Sequence, residues 1–457
     1  VGNCTYALPY AHESTHGVLL SLGLVSVAHR WIAKPGARRS FVLGLLSGLS
    51  IVLKPEFMLL SALVVGCAVL LRVRSKRPTT ATEITWAGMA LVIPMALFTL
   101  YFWCSLPLAA AFRAANQAWW SVLVSHVHAQ VWASFLGADA PLHNLGSITV
   151  AGGILALSVG TMWLGAERAS RGSRLAILLV PIPCGLALAG ADWLKAAFCV
   201  PLGLLAVLAV RIAKAIRRQD AESPLRLLLA AGALALFIRM SLYPRFFHFG
   251  FYQAALATMV VLAETLVLLG SAAGQHKMTR LVVRASTGLV IASACLGIFL
   301  SSRALLSLRT FPVGTGRDRF LTFAPKQDTS GFLVEKMVDA LRLQPDASRV
   351  LVVPEGLMIN YLARRHSPLP EWIFIDLTLA GSAEAALVDR LRADAPEFVV
   401  LISRDLREHG ITHFGAEGQP GQRLIAFFHQ RYRPILQLGG DPFTSKLKGA
   451  QLLRRAF

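Results

Sequence analysis

The chain has 457 residues, 55% of them apolar and only 15% charged, where a soluble globular domain carries roughly 25% charged residues. That balance excludes an ordinary soluble enzyme as a description of the whole chain, because most of it must face lipid or other buried helices. The formal charge of +20 would suit a nucleic-acid binder, yet the basic residues sit in short clusters between apolar runs, the pattern of a polytopic membrane protein.

The first 14 residues are polar and aromatic, with no basic n-region or cleavage pattern, so they do not form a signal peptide. With Val1 in first place, the natural N-terminus is expected to lie further upstream. Asn3-Cys4-Thr5 matches a glycosylation sequon but is too short to carry weight. Apolar runs long enough, or nearly so, to cross ~30 Å of hydrocarbon follow near 15–31, 41–53, 57–72, 84–103, 147–165, 175–190, 196–213, 225–243, 248–270 and 285–302. They predict about ten transmembrane helices.

Charge sets the orientation. Arg30, Lys34, Arg38 and Arg39 follow the first run, and Arg72, Arg74, Lys76 and Arg77 the third. Arg168, Arg171 and Arg174 follow the fifth, Arg211, Lys214, Arg217, Arg218 and Arg226 surround the turn after the seventh, and Lys277, Arg280 and Arg284 precede the tenth. The intervening loops hold only Lys54, Arg113, Lys195, Arg239 and Arg245, so they are expected outside. Residues 41–72 read as two helices meeting at Lys54-Pro55-Glu56. A single helix would strand Lys54 and Glu56 mid-membrane at roughly 2.5–3.5 kcal/mol each. The tenth span then delivers the chain outside, and an N-terminus that begins inside needs an odd number of helices ahead of residue 1.

Residues 104–146 form a long outer loop. Its stretch Pro107–Phe135, with Arg113, Asn116, Gln117, His126, His128 and Gln130 among Trp119, Trp120 and Trp132, reads as an interfacial helix. After Arg303 the pattern changes. Helical periodicity at 329–343 precedes a strand Arg349–Val353, a helix Leu357–Arg364, a strand Trp372–Leu377 and a helix Ala383–Ala393. A strand Phe398–Ile402, a helix Arg423–Tyr432 and strands Pro434–Leu438 and Ala450–Arg454 complete the series. The fold class is therefore a polytopic α-helical membrane domain, 1–302, followed by an extracytoplasmic α/β domain, 303–457. The six cysteines, Cys4, Cys67, Cys104, Cys184, Cys199 and Cys295, form no CxxC and no Cys/His cluster, so neither a disulfide framework nor a structural zinc site is indicated.

Polar residues expected at the outer ends of the spans are the candidate site: His12, Glu13 and His16; Lys54 and Glu56; Arg113, His126 and His128; Asp192 and Lys195; Arg239, Arg245 and His248. Carboxylates, imidazoles and cations opening on one cavity suit a phosphate-bearing lipid and a divalent metal. Each has a plainer alternative. Lys54 with Glu56 reads equally as a solvated helix turn, and Arg245 with His248 as interfacial anchors beside Tyr243, Phe246 and Phe247. Arg239, inside an apolar run, calls for a buried partner or a ligand. His126 and His128 at i,i+2 share no helix face, and Glu264 is a packing or pairing residue. In the C-terminal domain, Glu355 and Asn360 shape a strand-to-helix turn, with acceptor docking as the other reading.

Tyr10-Ala11-His12-Glu13-Ser14-Thr15-His16-Gly17, the run Gly44–Leu53 ending in Lys54-Pro55-Glu56, Arg245-Phe246-Phe247-His248-Phe249-Gly250-Phe251 and Pro354-Glu355-Gly356-Leu357-Met358-Ile359-Asn360-Tyr361-Leu362 together resemble the GT-C glycosyltransferases, which include protein O-mannosyltransferases and aminoarabinose transferases of lipid A. The resemblance covers most of the chain in layout, and its motifs are short. It implies transfer of a sugar from a polyprenyl-phosphate donor to a glycan, lipid or protein acceptor on the outer face of a membrane. It also implies a catalytic aspartate in a first outer loop that would precede residue 1. Glu13 would match the family's second acidic position as catalytic residue or, with His16, as a metal ligand. Lys54 would contact the donor phosphate, with Arg245, Arg239 and His248 sharing that duty, and Glu56 and His12 standing nearby. The chain departs from many relatives in following its lysine with Pro55-Glu56 rather than glycine. The excess of arginine over lysine points to a GC-rich bacterial genome and a cytoplasmic-membrane location. The alternatives are a transporter or flippase of a lipid-linked or anionic substrate, against which no inverted repeat is seen, and a non-catalytic envelope-assembly protein.

Overall fold

The protein is described from a computed structural model at residues 12–116, 136–168, 197–217, 223–244, 250–272, 303–346, 348–379, 382–406 and 411–456, with isolated positions between 281 and 300. It is mostly helical, with a small sheet region near the C-terminus, and divides after Leu300 into two compact units.

The first unit contains α1 (His12–Ala33), α2 (Ala37–Leu53), α3 (Pro55–Arg74), α4 (Ala81–Trp103), α5 (Leu108–Ala115), α6 (Pro141–Arg168), α7 (Val200–Arg217), α8 (Ser223–Phe237) and α9 (Gly250–Ala272). Among the described residues five segments are long and apolar enough to cross a membrane, Ser14–Ala33, Pro55–Arg74, Ala81–Trp103, Ala197–Ala215 and Gln253–Gly270, as expected of a membrane protein. The sequence reading of ten spans goes further. Residues 175–190 and most of 285–302 lie outside the described residues, α2 has 17 residues, and the run at 225–243 forms only the 15-residue α8. Helix α4 shows why composition read as lipid-facing: Ile84, Val92, Leu97, Leu100 and Tyr101 are all exposed.

Residue contacts at their two ends fix how α1, α2 and α3 run. Ser14 and Gly17 of α1 meet Lys54 and Phe57, whereas Trp31 at the far end of α1 meets Ser40 of α2 and Arg72 of α3. The three helices therefore alternate in direction, and the break at Lys54 is a hairpin tip. The basic residues Arg30, Arg72 and Arg74 fall in last turns at the opposite end.

Helices α2 and α4 pack through a small-residue stripe. Ser40, Gly44, Ser47 and Gly48 are buried, and a methyl group at Gly44 or Gly48 would land on the carbonyl of Ala87 or Leu91. Gly44→Ala is expected to cost roughly 1–3 kcal/mol by forcing the helices apart. Gly66→Ala, where a methyl group meets nothing within 4 Å, should leave the melting temperature in detergent unchanged or raised.

The end opposite Lys54 is closed by a buried polar cluster. Arg72 and Glu83 make a two-pronged ion pair at 3.0 Å and 3.0 Å, with side chains 2% and 5% exposed. Glu83 also accepts from Trp31 Nε1 (3.1 Å), the Gly36 N–H (3.0 Å) and the Thr80 N–H (3.0 Å), and it completes a capping box with Thr80. The Arg72 guanidinium lies 4.1 Å over the Trp31 ring. One carboxylate thus ties the α1–α2 turn, α3 and the start of α4 together. Farther along, buried Arg211 pairs with Glu264 (Nε to Oε2 2.8 Å), so Glu264 is a pairing residue.

The second unit contains a hairpin, β1 (Arg309–Val313) and β2 (Phe320–Phe323), followed by α10 (Ser330–Arg342), β3 (Val350–Val353), α11 (Leu357–Ala363), α12 (Asp376–Leu379), α13 (Ala383–Ala393), β4 (Phe398–Ile402), α14 (Gln422–Arg431), β5 (Tyr432–Gly439) and β6 (Gly449–Arg455). The main sheet runs β3-β4-β6-β5, with β3 and β4 parallel and the other pairs antiparallel. Both parallel strands are buried along their whole length, hence their unbroken apolar sequences. Alternate residues serve opposite faces: Leu351, Val353, Val399 and Leu401 pack with α13 and α14, while Val350, Val352, Phe398 and Val400 pack with α10 and α11.

One sequence expectation fails here. No strand spans 372–377: Ile373 makes one bridge to Glu355, and the chain turns into α12. The Thr378 hydroxyl donates to the Ile373 carbonyl (2.9 Å) and accepts from the Ile375 N–H (3.0 Å), a local bond that competes with extension. The β1–β2 hairpin, whose register shifts between Arg309 and Phe311, is an element beyond those the sequence pattern suggests. Its neighbour Asp328 accepts from the Ser330 N–H (2.8 Å) and Lys448 Nζ (2.9 Å). Burial pushes this carboxyl up, but those bonds outweigh burial and leave it below the usual aspartate value. A depressed carboxyl stabilises the fold above its unfolded-state pKa and loses that contribution as pH falls through the folded one. Thermal melts below about pH 4 should therefore show an acid-dependent loss that is smaller in Asp328→Asn.

Candidate functional site

The hairpin tip is built by one extended residue. Lys54 (φ −161°, ψ 151°) ends α2 and caps α3, its carbonyl accepting from the N–H groups of Phe57 (3.1 Å) and Met58 (3.3 Å). Pro55 opens α3, where its missing N–H costs nothing and its fixed φ suits the first turn. Glu56 then falls in the first turn, where the positive end of the helix dipole favours a carboxylate.

That carboxylate is buried, with its side chain 9% exposed, and it takes an ion pair from Arg239. Arg239 stands on a 3₁₀ turn, Ile238–Met240, just beyond the end of α8. The next residues are pinned in turn: the Leu242 N–H donates to the Leu136 carbonyl (3.1 Å), and Gly137 (φ +85°) packs so close to Leu242–Tyr243 that a methyl group would overlap them. Asn144 holds the same loop through the Gly137 carbonyl (2.9 Å). On the other side, Lys54 Nζ lies 3.4 Å from the hydroxyl of buried Ser14. Gly17 permits this approach, because a methyl group there would collide with the Phe57 ring.

Among the described residues the tip holds two cations, one carboxylate and the positive end of α3, partly buried where charge is poorly screened. It can hold an anionic oxygen group beside Lys54 and Arg239.

Of the residues singled out from sequence, Lys54, Glu56 and Arg239 come together, and Arg239 has the buried partner its position called for. His16 is on α1 and exposed. His12 and Glu13 lie in the first turn of α1, with side chains outside the described residues, as are Arg245, His248, His126, His128, Asp192 and Lys195. The first turns of the expected interfacial helix are present as α5, with Arg113 exposed, while 117–135 lie outside the described residues. Among the described residues no three His, Cys, Asp or Glu side chains form a group that could hold a metal ion. Sequence reading missed Ser14 as the contact of Lys54, although the Ser14-Thr15-His16-Gly17 segment was in view. In the second unit Asn360 is structural, its amide donating to the carbonyls of Val350 (2.8 Å) and Arg365 (3.3 Å), and Glu355 faces Arg404 at 2.8 Å. No protein-family model matches this chain, and neither a curated protein nor a solved structure matches it.

Proposed function

We propose that the chain is an integral-membrane glycosyltransferase that moves a sugar from a polyprenyl-phosphate donor to an acceptor on the extracytoplasmic face of a bacterial cytoplasmic membrane. The observation that carries this reading is the α2–α3 tip, where Lys54 caps α3 with its ammonium beside buried Ser14 and Arg239 pairs with the buried Glu56 carboxylate of the first turn. Breaking the bond between a sugar and a prenyl phosphate leaves an anionic phosphate, and fixed cations at that oxygen lower the barrier. Lys54 takes the phosphate oxygen directly. Glu56 orients Arg239 towards the same phosphate. The acceptor hydroxyl needs a carboxylate base within hydrogen-bond reach, a role for Glu13. In this reading about ten helices span the membrane, the Arg72–Glu83 end faces the cytoplasm, and the second unit lies outside.

The test uses the full-length protein in proteoliposomes with a prenyl-phosphate-linked sugar and an acceptor extract. Transfer is expected for the wild type and should be abolished by Lys54→Ala, Glu13→Ala and Arg245→Ala combined. Normal turnover in that triple variant removes these residues from the mechanism. Net movement of the intact donor across the bilayer, without transfer, overturns the reading in favour of a flippase.

A further inference from the structure

The second unit holds a cavity of about 240 Å³ that the transferase chemistry does not use. Its floor is a tight loop after β1, in which Gly314 (φ +79°) and Gly316 (φ +58°) turn the chain back towards β2. The Gly314 N–H donates to Glu335 of α10 (2.7 Å), which fixes that loop. Its walls are Thr315, Asp318, Arg342, Asp346, Arg364 and Arg365 beside the end of α11.

Three guanidinium groups thus face two carboxylates. Arg365 is held rigidly, its side chain 4% exposed and its Nη2 donating to the carbonyls of Leu341 (3.0 Å) and Gln344 (2.7 Å). Its Nε is buried and donates to no protein acceptor. Arg364 pairs with Asp318 and lies 4.5 Å over the Tyr361 ring, whose hydroxyl donates to the same carboxylate (2.8 Å). Asp346 pairs with Arg365 Nη1 (3.2 Å), and across the cavity three guanidinium groups outnumber two carboxylates by one charge. Arg364 also adopts a left-handed conformation (φ 56°, ψ 45°) at the end of α11, a position that favours glycine. An arginine there is set by what its side chain reaches rather than by backbone preference.

From this geometry we propose that the cavity binds the anionic group of a carbohydrate, a phosphate or carboxylate borne on a single sugar ring. Guanidinium groups supply paired donors for the anion. Thr315 and the two aspartates supply partners for ring hydroxyls. The volume is below the roughly 300–1,000 Å³ of sites for larger ligands, which fits one ring. The inference rests on the second unit alone and stands independently of the transferase reading.

The test is calorimetric titration of the full chain, in nanodiscs of zwitterionic lipid, with glucose 6-phosphate, glucuronate and glucose. Glucose 6-phosphate, glucuronate or both should bind, and neutral glucose at least about tenfold more weakly. Arg364→Gly suits the left-handed backbone, so it should keep or raise the melting temperature while weakening anion binding about tenfold or more. Lys336→Ala, which removes an exposed cation of the same unit outside the cavity, should leave it unchanged. A response to phosphorylated sugar alone identifies phosphate as the group recognised, and a response to glucuronate alone identifies carboxylate. Equal binding of glucose, no binding of either anion, full affinity in Arg364→Gly, or loss in Lys336→Ala overturns the proposal.

Discussion

Replacing Glu83 by alanine is expected to be the most damaging single change in the first unit, costing about 3–5 kcal/mol of stability. The substitution removes the acceptor shared by Arg72, Trp31, Gly36 and Thr80 and leaves the guanidinium of Arg72 buried without its counter-charge. Arg72→Ala should cost a similar amount for the converse reason. Replacing both, as Arg72→Met with Glu83→Leu, should be milder than either single change, because no uncompensated charge remains. Melting curves in mild detergent for the four proteins measure this directly. A Glu83→Ala protein within about 1 kcal/mol of wild type would show that the cluster does not hold these helices together.

The second large effect is functional. Lys54→Ala is expected to lower sugar transfer by about two orders of magnitude, the usual loss when one fixed donor to a developing anion is removed. Lys54→Arg keeps the charge and should retain part of the rate, though the guanidinium fork does not reproduce an ammonium point charge beside Ser14. The loss should fall mainly on kcat, since leaving-phosphate charge grows as the bond breaks. Initial rates that stay within about twofold of wild type in Lys54→Ala would separate the hairpin tip from the reaction.

Much of this architecture could be read from the residues. Lys54-Pro55-Glu56 announced a helix break because a mid-membrane lysine and glutamate are costly and proline belongs in a first turn. Arg239 asked for a partner on the same physical ground, and Glu56 supplies it. In the second unit, unbroken apolar stretches gave the parallel strands β3 and β4 within a residue of their observed limits. The Arg72–Glu83 cluster escaped notice because Arg72 was counted among loop charges. Its signal was nevertheless present in Thr80-Ala81-Thr82-Glu83, a capping-box pattern. The strand expected at 372–377 failed because one threonine hydroxyl redirects the backbone, an effect invisible to hydrophobic pattern. The arginine-lined cavity was illegible for a different reason: Thr315, Arg342 and Arg365 are distant in sequence and meet only through tertiary packing.

The central claim is that the α2–α3 tip receives the prenyl-linked phosphate. Photo-crosslinking of the full-length protein with a diazirine-bearing prenyl phosphate, followed by peptide mapping, addresses it most directly. Adducts should fall on peptides carrying Lys54 and Arg239, disappear under excess unlabelled prenyl phosphate, and be lost in Lys54→Ala. Labelling concentrated instead around Arg72 and Glu83, or labelling at the tip that excess prenyl phosphate does not displace, would contradict it.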